Sequence, residues 1–126
     1  GHKADRIWNG QELTRGEWLQ SPNGRYRLTF QGDGNVVLRD RYSNGVLWAS
    51  GTNGEHAARL VMQDDGNLVI YSEGHWGWKS WWHWGWIEPQ AIWASHTVGS
   101  GESRLEIADS GHLRVVRNGS TVWRRY

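Results

Sequence analysis

Apolar and polar residues alternate along much of the chain with the period of two that is typical of β-strands. No segment combines a helical i, i+3, i+4, i+7 apolar stripe with capping residues. The alternation therefore predicts an all-β fold of half-buried antiparallel strands. It is clearest in six apolar groups: Tyr26/Leu28/Phe30, Val36/Leu38, Leu60/Met62, Leu68/Ile70, Leu105/Ile107 and Leu113/Val115.

Tight-turn dipeptides separate these segments. Glycine follows Asn or Asp seven times, and such pairs tolerate the positive φ angles of hairpin turns. We therefore expect segments that are neighbours in the sequence to pair as hairpins. Two of the dipeptides, Asp33-Gly34 and Asp65-Gly66, occupy the same place in two similar segments.

That similarity belongs to a repeat present in three copies. Residues 27–38 match residues 59–70 at an offset of 32 positions, and residues 104–115 form a third copy 45 positions further on. Internal repeats of this kind determine the architecture. We predict three small sheets that meet about a pseudo-threefold axis.

A strand with a tryptophan follows each copy, and we expect these three residues to share the core: Trp48, Trp93 and Trp123. Trp8 and Trp18, in the N-terminal strands, are expected to be core residues as well. Trp93 lies 45 residues after Trp48 although the first two copies are offset by only 32, an excess of 13 residues. The second repeat therefore contains an insertion, at about residues 75–87.

Composition narrows the possible functions. The chain has 126 residues, a formal net charge of +1 and no cysteine. We expect one domain over residues 1–126, without disulfides or thiolate metal sites. The balanced charge argues against nucleic acid as a partner. Neither a catalytic motif nor a zinc-like spacing of the histidines is present, so we expect no enzyme, cofactor or metal. No apolar signal-peptide segment is visible near the start.

One set of polar residues in the second copy suggests a binding site: Gln63, Asp65, Asn67, Val69 and Tyr71. On a strand, every second side chain projects from the same face. Amide, carboxylate and phenol groups around a small apolar residue suit the hydroxyls and C–H surface of a sugar. The alternative is that Asp65-Gly66-Asn67 is only a turn. The third copy keeps the apolar alternation without this set, which favours function, since its residues there are Ala108, Ser110, His112, Arg114 and Val116.

This nine-residue pattern, Gln-x-Asp-x-Asn-x-Val-x-Tyr, resembles the signature of the monocot mannose-binding (bulb-type) lectin family. The resemblance covers the chain apart from the insertion. It implies a β-prism II fold of three four-stranded antiparallel sheets. It also implies metal-independent binding of mannose or mannose-containing glycans by Gln63, Asp65, Asn67 and Tyr71, with Val69 against the sugar ring. It also implies an extracellular location and a homodimer that exchanges C-terminal strands around Trp123. Absence of cysteine fits a bacterial-type or engineered member.

The resemblance extends to the first repeat with one departure. The equivalent residues there are Gln31, Asp33, Asn35 and Val37. Arg39 stands where the signature has tyrosine, so we expect a weaker site. The third repeat matches at none of the five positions and is expected not to bind sugar.

The insertion is the most unusual segment, because six of the eleven tryptophans lie between Trp76 and Trp86. A hairpin turning at residues 79–81 would place five of them on one face: Trp76, Trp78, Trp82, Trp84 and Trp86. A helix would also align three of them, but two glycines argue against it. An abrupt change of composition is also what a grafted loop would produce.

Four roles for the insertion remain open at the level of sequence. It could extend the sugar site, contact a membrane interface, where tryptophan is enriched, drive self-association, or bury its rings on its own domain. The sequence thus predicts a mannose-binding lectin. The alternatives are a lectin-like antibacterial or membrane-active protein, or a β-prism scaffold that assembles through this segment.

Overall fold

The structure is a computed structural model that describes residues 4–126. Its described residues form strands and turns without a helix. No helix that could span a membrane is therefore found in this part of the chain. The strands are β1 (Arg6–Trp8), β2 (Glu12–Thr14), β3 (Trp18–Gln20), β4 (Tyr26–Phe30), β5 (Val36–Asp40), β6 (Gly45–Ala49), β7 (Ala57–Met62), β8 (Leu68–Ser72), β9 (His75–Ser80), β10 (His83–Ile87), β11 (Ala91–Ala94), β12 (Ser103–Ile107), β13 (Leu113–Arg117) and β14 (Ser120–Arg125).

Three four-stranded antiparallel sheets form the body, in the orders β3-β4-β5-β6, β11-β8-β7-β2 and β1-β12-β13-β14. Each is built around one copy of the repeat, and the short N-terminal strands β1 and β2 complete the third and second sheets. The predicted all-β class and threefold arrangement of sheets are confirmed. Strand β14 pairs with β13 of the same chain, so the third sheet is complete within one molecule.

The core contains the apolar groups of the six alternating segments, every member of which is buried. The three-residue strands each add one buried residue from their middle position: Ile7, Leu13 and Leu19. A strand alternates its faces, so the flanking residues of these short strands point outward. Burial of these side chains is the main force that holds the three sheets together.

Three tryptophans meet where the sheets converge, as the repeat predicts. The ring centroids of Trp48, Trp93 and Trp123 lie 5.6 to 5.7 Å apart in edge-to-face contacts. Trp123 is 8% exposed and belongs to the core, and Trp48 and Trp93 pack against it. Each sheet thus contributes one tryptophan to the cluster, from β6, β11 and β14.

The expectation that Trp8 and Trp18 are core residues is wrong. Trp8 is 37% exposed, and the guanidinium carbons of Arg6 and Arg104 lie 5.9 and 5.5 Å from its ring centroid. Trp18 is half-buried, outside the core cluster, with Arg27 4.6 Å from its ring. The reason is the alternation itself, because the middle residues of β1 and β3 take the inward positions.

The segment 75–87 forms a two-stranded sheet of its own, β9 with β10, which we call the tryptophan hairpin. The pairs Trp76↔Trp86 and Trp78↔Trp84 place four rings on one face. The turn lies at Trp81 and Trp82, later than the predicted 79–81. Trp82 therefore leaves the predicted row and packs on Trp81, with centroids 4.9 Å apart. A bulge between His83 and Trp84 interrupts the pairing next to the turn.

We predict that Trp123→Ala lowers the free energy of unfolding by about 3 to 5 kcal/mol, because it removes a buried ring that two others contact. Trp8→Ala is the matched control and should cost about 1 kcal/mol, since that ring is at the surface. Urea denaturation followed by circular dichroism measures both. Equal losses for the two variants would show that the cluster does not support the fold.

Candidate functional site

The polar set of the second repeat spans a turn and a strand. Gln63 follows β7, Asp65 lies in the turn and Asn67 precedes β8. The expectation that all five side chains project from one continuous strand is therefore wrong for these three. Gly66 has a φ of +87°, which closes the hairpin, and the Asp65 carboxylate accepts from the backbone N–H of Asn67 at 2.9 Å.

The turn nevertheless folds the set onto one patch at the surface. Gln63 Nε2 donates to the hydroxyl of Tyr71, which joins the two ends of the set. Asp65 is exposed, and Asn67 is half-buried. Val69 lies in β8 between Asn67 and Tyr71 and is only 3% exposed. The patch thus presents mainly amide, carboxylate and phenol groups, and little of the apolar surface expected from Val69.

Ser95 and Thr97, whose hydroxyl groups are buried, fix the orientation of Asn67. Its Oδ1 accepts from the backbone N–H of Thr97 at 3.2 Å and from Ser95 Oγ at 3.3 Å. The two hydroxyls lie 2.8 Å apart, and Thr97 Oγ1 donates to the carbonyl of Gly66 at 2.6 Å. Ser95 Oγ also accepts from the N–H of Leu68 at 3.0 Å. The Asn67 oxygen is therefore occupied, and its Nδ2 is left to donate to a ligand.

The first repeat holds its asparagine in the same way. Asn35 Oδ1 accepts from the backbone N–H groups of Gly51 and Thr52 at 2.9 and 3.3 Å, and from Ser50 Oγ at 3.2 Å. Thr52 Oγ1 donates to the carbonyl of Gly34 at 2.7 Å. The arrangement is therefore a property of the repeat and not of one turn.

These Ser and Thr residues were missed in the sequence, although a signal for them is present. Trp48-Ala49-Ser50-Gly51-Thr52 and Trp93-Ala94-Ser95-His96-Thr97 share the pattern Trp-Ala-Ser-x-Thr. The third repeat has Arg125 at the position of the serine. The serine thus occurs in the two repeats that have the asparagine and is replaced in the one that lacks it.

Arg39 replaces the tyrosine of the first-repeat set and takes over its contact. When the Gln31 amide is oriented to satisfy its neighbours, its oxygen accepts from Arg39 Nη1 at 2.8 Å. Its nitrogen then donates to Asp33 Oδ1 at 3.2 Å. Val37 is buried like Val69. The patch keeps its shape, but Gln31 and Asp33 are engaged with each other, and a cation stands where the phenol would be.

The third repeat has a different outer face, dominated by arginine. The buried carboxylate of Glu106 lies within 3.3 to 3.6 Å of Arg6, Arg104 and Arg114. A hydrogen bond from Arg6, opposed in part by burial, lowers the pKa of Asp5. Of these residues only Arg114 stands at a position of the sugar set, the one that Val69 holds in the second repeat. Among the described residues, no group of three His, Cys, Asp or Glu could hold a metal ion.

Two further arginines support the second-repeat patch, and neither was predicted. Arg117 of β13 donates to the carbonyls of Thr97 and, at 3.4 Å, of Gly66, and so ties the turn to the neighbouring sheet. The guanidinium carbon of Arg59 lies 5.3 Å from the ring centroid of Tyr71. The Arg117 contact crosses between repeats and carries no local sequence signal, whereas Arg59 is the cross-strand neighbour of Tyr71.

Comparison with known proteins identifies the family. No protein-family model matches the chain. Solved monomeric monocot mannose-binding lectins from Gastrodia elata are 34% identical, with a TM-score of 0.74 over 95% of this chain and 94% of theirs. The chain belongs to the monocot mannose-binding lectin family.

Other relatives agree with this assignment. The mannose-specific agglutinin of snowdrop (Galanthus nivalis), solved with methyl-α-D-mannoside, is 28% identical, with a TM-score of 0.70 over 89% of this chain and 88% of that one. The B-type lectin plumieribetin of Scorpaena plumieri is 48% identical over 61 residues, which are 48% of this chain and 51% of plumieribetin. The chain spans about half the length of the curated relatives that it matches. The relatives are lectins, not enzymes.

We predict that Thr97→Val lowers the free energy of unfolding by about 1 to 3 kcal/mol, because it removes the 2.6 Å hydrogen bond to the Gly66 carbonyl and leaves that carbonyl with only the 3.4 Å contact from Arg117. Thr52→Val in the first repeat should cost a similar amount. Thr121→Val, at an exposed position of β14, is the control and should change stability by less than about 0.5 kcal/mol. Thermal unfolding measures all three. A loss for Thr97→Val no larger than that of the control would contradict a structural role for the hydroxyl.

Proposed function

We propose that the protein is a carbohydrate-binding lectin that recognises mannose-type glycans through the second-repeat patch, without a metal ion. The observation that carries the proposal is the fixed orientation of Asn67, whose Oδ1 is held by Ser95 and Thr97. A preorganised amide loses little freedom when a ligand binds. The similarity to the snowdrop agglutinin, which is mannose-specific and was solved with methyl-α-D-mannoside, supports the choice of sugar.

Each polar group has a chemical role toward adjacent sugar hydroxyls. The Asp65 carboxylate accepts from two hydroxyls, Asn67 Nδ2 donates to one, and Gln63 and Tyr71 can both donate and accept. A hydroxyl that inserts between Gln63 and Tyr71 replaces the hydrogen bond that now joins them. Because the patch is shallow and polar, a single site should bind a monosaccharide at roughly millimolar strength, about −4 kcal/mol.

Stronger binding to cell-surface glycans requires more than one site. The first-repeat patch is a second, weaker candidate, formed by Gln31, Asp33, Asn35 and Val37, because Arg39 occupies its Gln31 oxygen. A homodimer formed by exchange of the C-terminal strands around Trp123 would double the number of sites. Both routes raise avidity without new contacts to each sugar.

We predict that Asp65→Asn abolishes measurable binding of methyl-α-mannoside or weakens it at least tenfold, because an amide cannot accept from two hydroxyls while it closes the turn. Asparagine keeps the turn, so stability should be unchanged. Isothermal titration measures binding, with methyl-α-galactoside as the sugar control. Asp33→Asn is the matched protein control and should leave the principal site intact. Parent-like binding by Asp65→Asn would refute the site assignment.

We predict that Arg39→Tyr creates a stronger site in the first repeat, because tyrosine completes the set and frees the Gln31 oxygen. Titration with mannoside should then show a second site comparable with the first. The double variant Arg39→Tyr/Asp65→Asn should bind mannoside, through the first-repeat patch alone. A double variant that remains inactive would mean that the tyrosine is not what the first patch lacks.

A further inference from the structure

The tryptophan hairpin has two chemically different faces. Its ladder face carries two edge-to-face pairs, with centroids of Trp76 and Trp86 5.9 Å apart and of Trp78 and Trp84 5.3 Å apart. The register places Gly77 opposite Gly85 on the other face. A methyl group at Gly85 would lie 3.1 Å from the Lys79 side chain. That face carries the Lys79 side chain toward the tip and Ile87 and His75 toward the base, so the hairpin is amphipathic in its outer half.

The rings at the tip of the hairpin are the most exposed. Trp86, at the base, is 40% exposed and packs so closely on Gly74 that no side chain fits there. Trp81, in the turn, is 86% exposed, and Trp82 beside it is also exposed. Two large apolar rings therefore project furthest from the body, while the base is fixed to the sheet that carries the sugar patch.

The charge of the hairpin has one sign. Between residues 75 and 87 it contains Lys79 and two histidines and no acidic residue. Of the two flanking acidic residues, Glu73 is paired with Arg15 of the body, and Glu88 directly follows the hairpin at an exposed position. A positive, tryptophan-rich and amphipathic element complements the interface of an anionic bilayer, where tryptophan rings lie at the level of the headgroups.

Two other occupants fit the geometry less well. A flat polysaccharide needs coplanar rings, whereas the planes of the hairpin pairs cross at 69° to 86°. A second copy that docked on the exposed tip would bury two rings of about 150 to 250 Å² each. The tip alone is therefore well below the roughly 800 Å² per partner of a stable interface, and a dimer would have to cover the four rings of the ladder face as well.

We propose that the tip of the tryptophan hairpin inserts into the interfacial region of anionic phospholipid membranes. Trp81 and Trp82 enter first, and Lys79 contacts the lipid phosphates. The hairpin joins β8 to β11, the strands that carry Tyr71 and precede Ser95, so the same sheet would hold glycan and lipid. The proposal does not depend on sugar binding.

The test uses the full chain and vesicles that contain no glycolipid. Vesicles of phosphatidylcholine alone are compared with vesicles that also contain phosphatidylglycerol, by co-sedimentation and by the shift of tryptophan emission. We expect binding and a blue shift that are stronger with phosphatidylglycerol. The double variant Trp81→Ser/Trp82→Ser should lose at least tenfold in partitioning. Tyr42→Ser, which removes an exposed ring from the equivalent connection of the first repeat, should bind like the parent.

Two more variants make the result decisive. Lys79→Glu should weaken binding to the anionic vesicles about tenfold, whereas Arg124→Glu, an equal charge change at an exposed site outside the hairpin, should have a smaller effect. Removal of residues 75–87 leaves four residues between Ser72 and Gln90, the number that joins Asp40 to Gly45 in the first repeat. This variant should fold and bind mannoside but not vesicles.

Three outcomes would overturn the proposal. The parent could fail to bind either kind of vesicle, or the double tip variant could bind as well as the parent. Light scattering could instead show a parent dimer that the 75–87 deletion converts to a monomer, with no vesicle binding, which would assign the hairpin to a second copy. In each case mannoside titration of the same samples reports separately on the sugar site.

Discussion

The edge-to-face contact among Trp48, Trp93 and Trp123 is the constraint on which the rest of the structure depends. Each ring comes from a different sheet, so the cluster sets the distance and angle between all three sheets at once. Edge-to-face packing suits a threefold centre, because each ring can offer an edge to one neighbour and a face to the other. Without the cluster, no single contact would join all three sheets and fix how they pack against one another.

Because the three sheets share the tryptophan cluster at their centre, the residues on their outer faces can differ from one sheet to the next. The second repeat presents a sugar-type polar set, the first presents the same set altered by Arg39, and the third presents Glu106 among arginines. The inward residues of all three stay apolar. The two kinds of position alternate along each strand, so one face can change while the other maintains the fold. Sites on this scaffold can therefore be gained and lost separately.

The architecture was accessible from the sequence because alternation, turn dipeptides and repeat spacing are local signals. The sequence did not predict that Ile7 points inward and Trp8 outward, because a three-residue strand is too short to show a period. The hydrogen bonds that orient Asn67 join positions about 30 residues apart. The support from Arg117 crosses between repeats. Such contacts depend on how the sheets are placed, which no local pattern encodes.

The position of the tryptophan hairpin explains why the fold accommodates it. Ser72 and Gln90 close its base with two hydrogen bonds, from the Gln90 N–H to Ser72 Oγ at 2.9 Å and from the Ser72 N–H to the Gln90 carbonyl at 2.8 Å. Strands β8 and β11 therefore pair as β5 and β6 do, whatever lies between them. A self-paired hairpin also satisfies its own backbone groups and makes no demand on the core. The insertion thus adds an apolar surface to the sheet of the sugar patch without disturbing the contacts that hold Asn67.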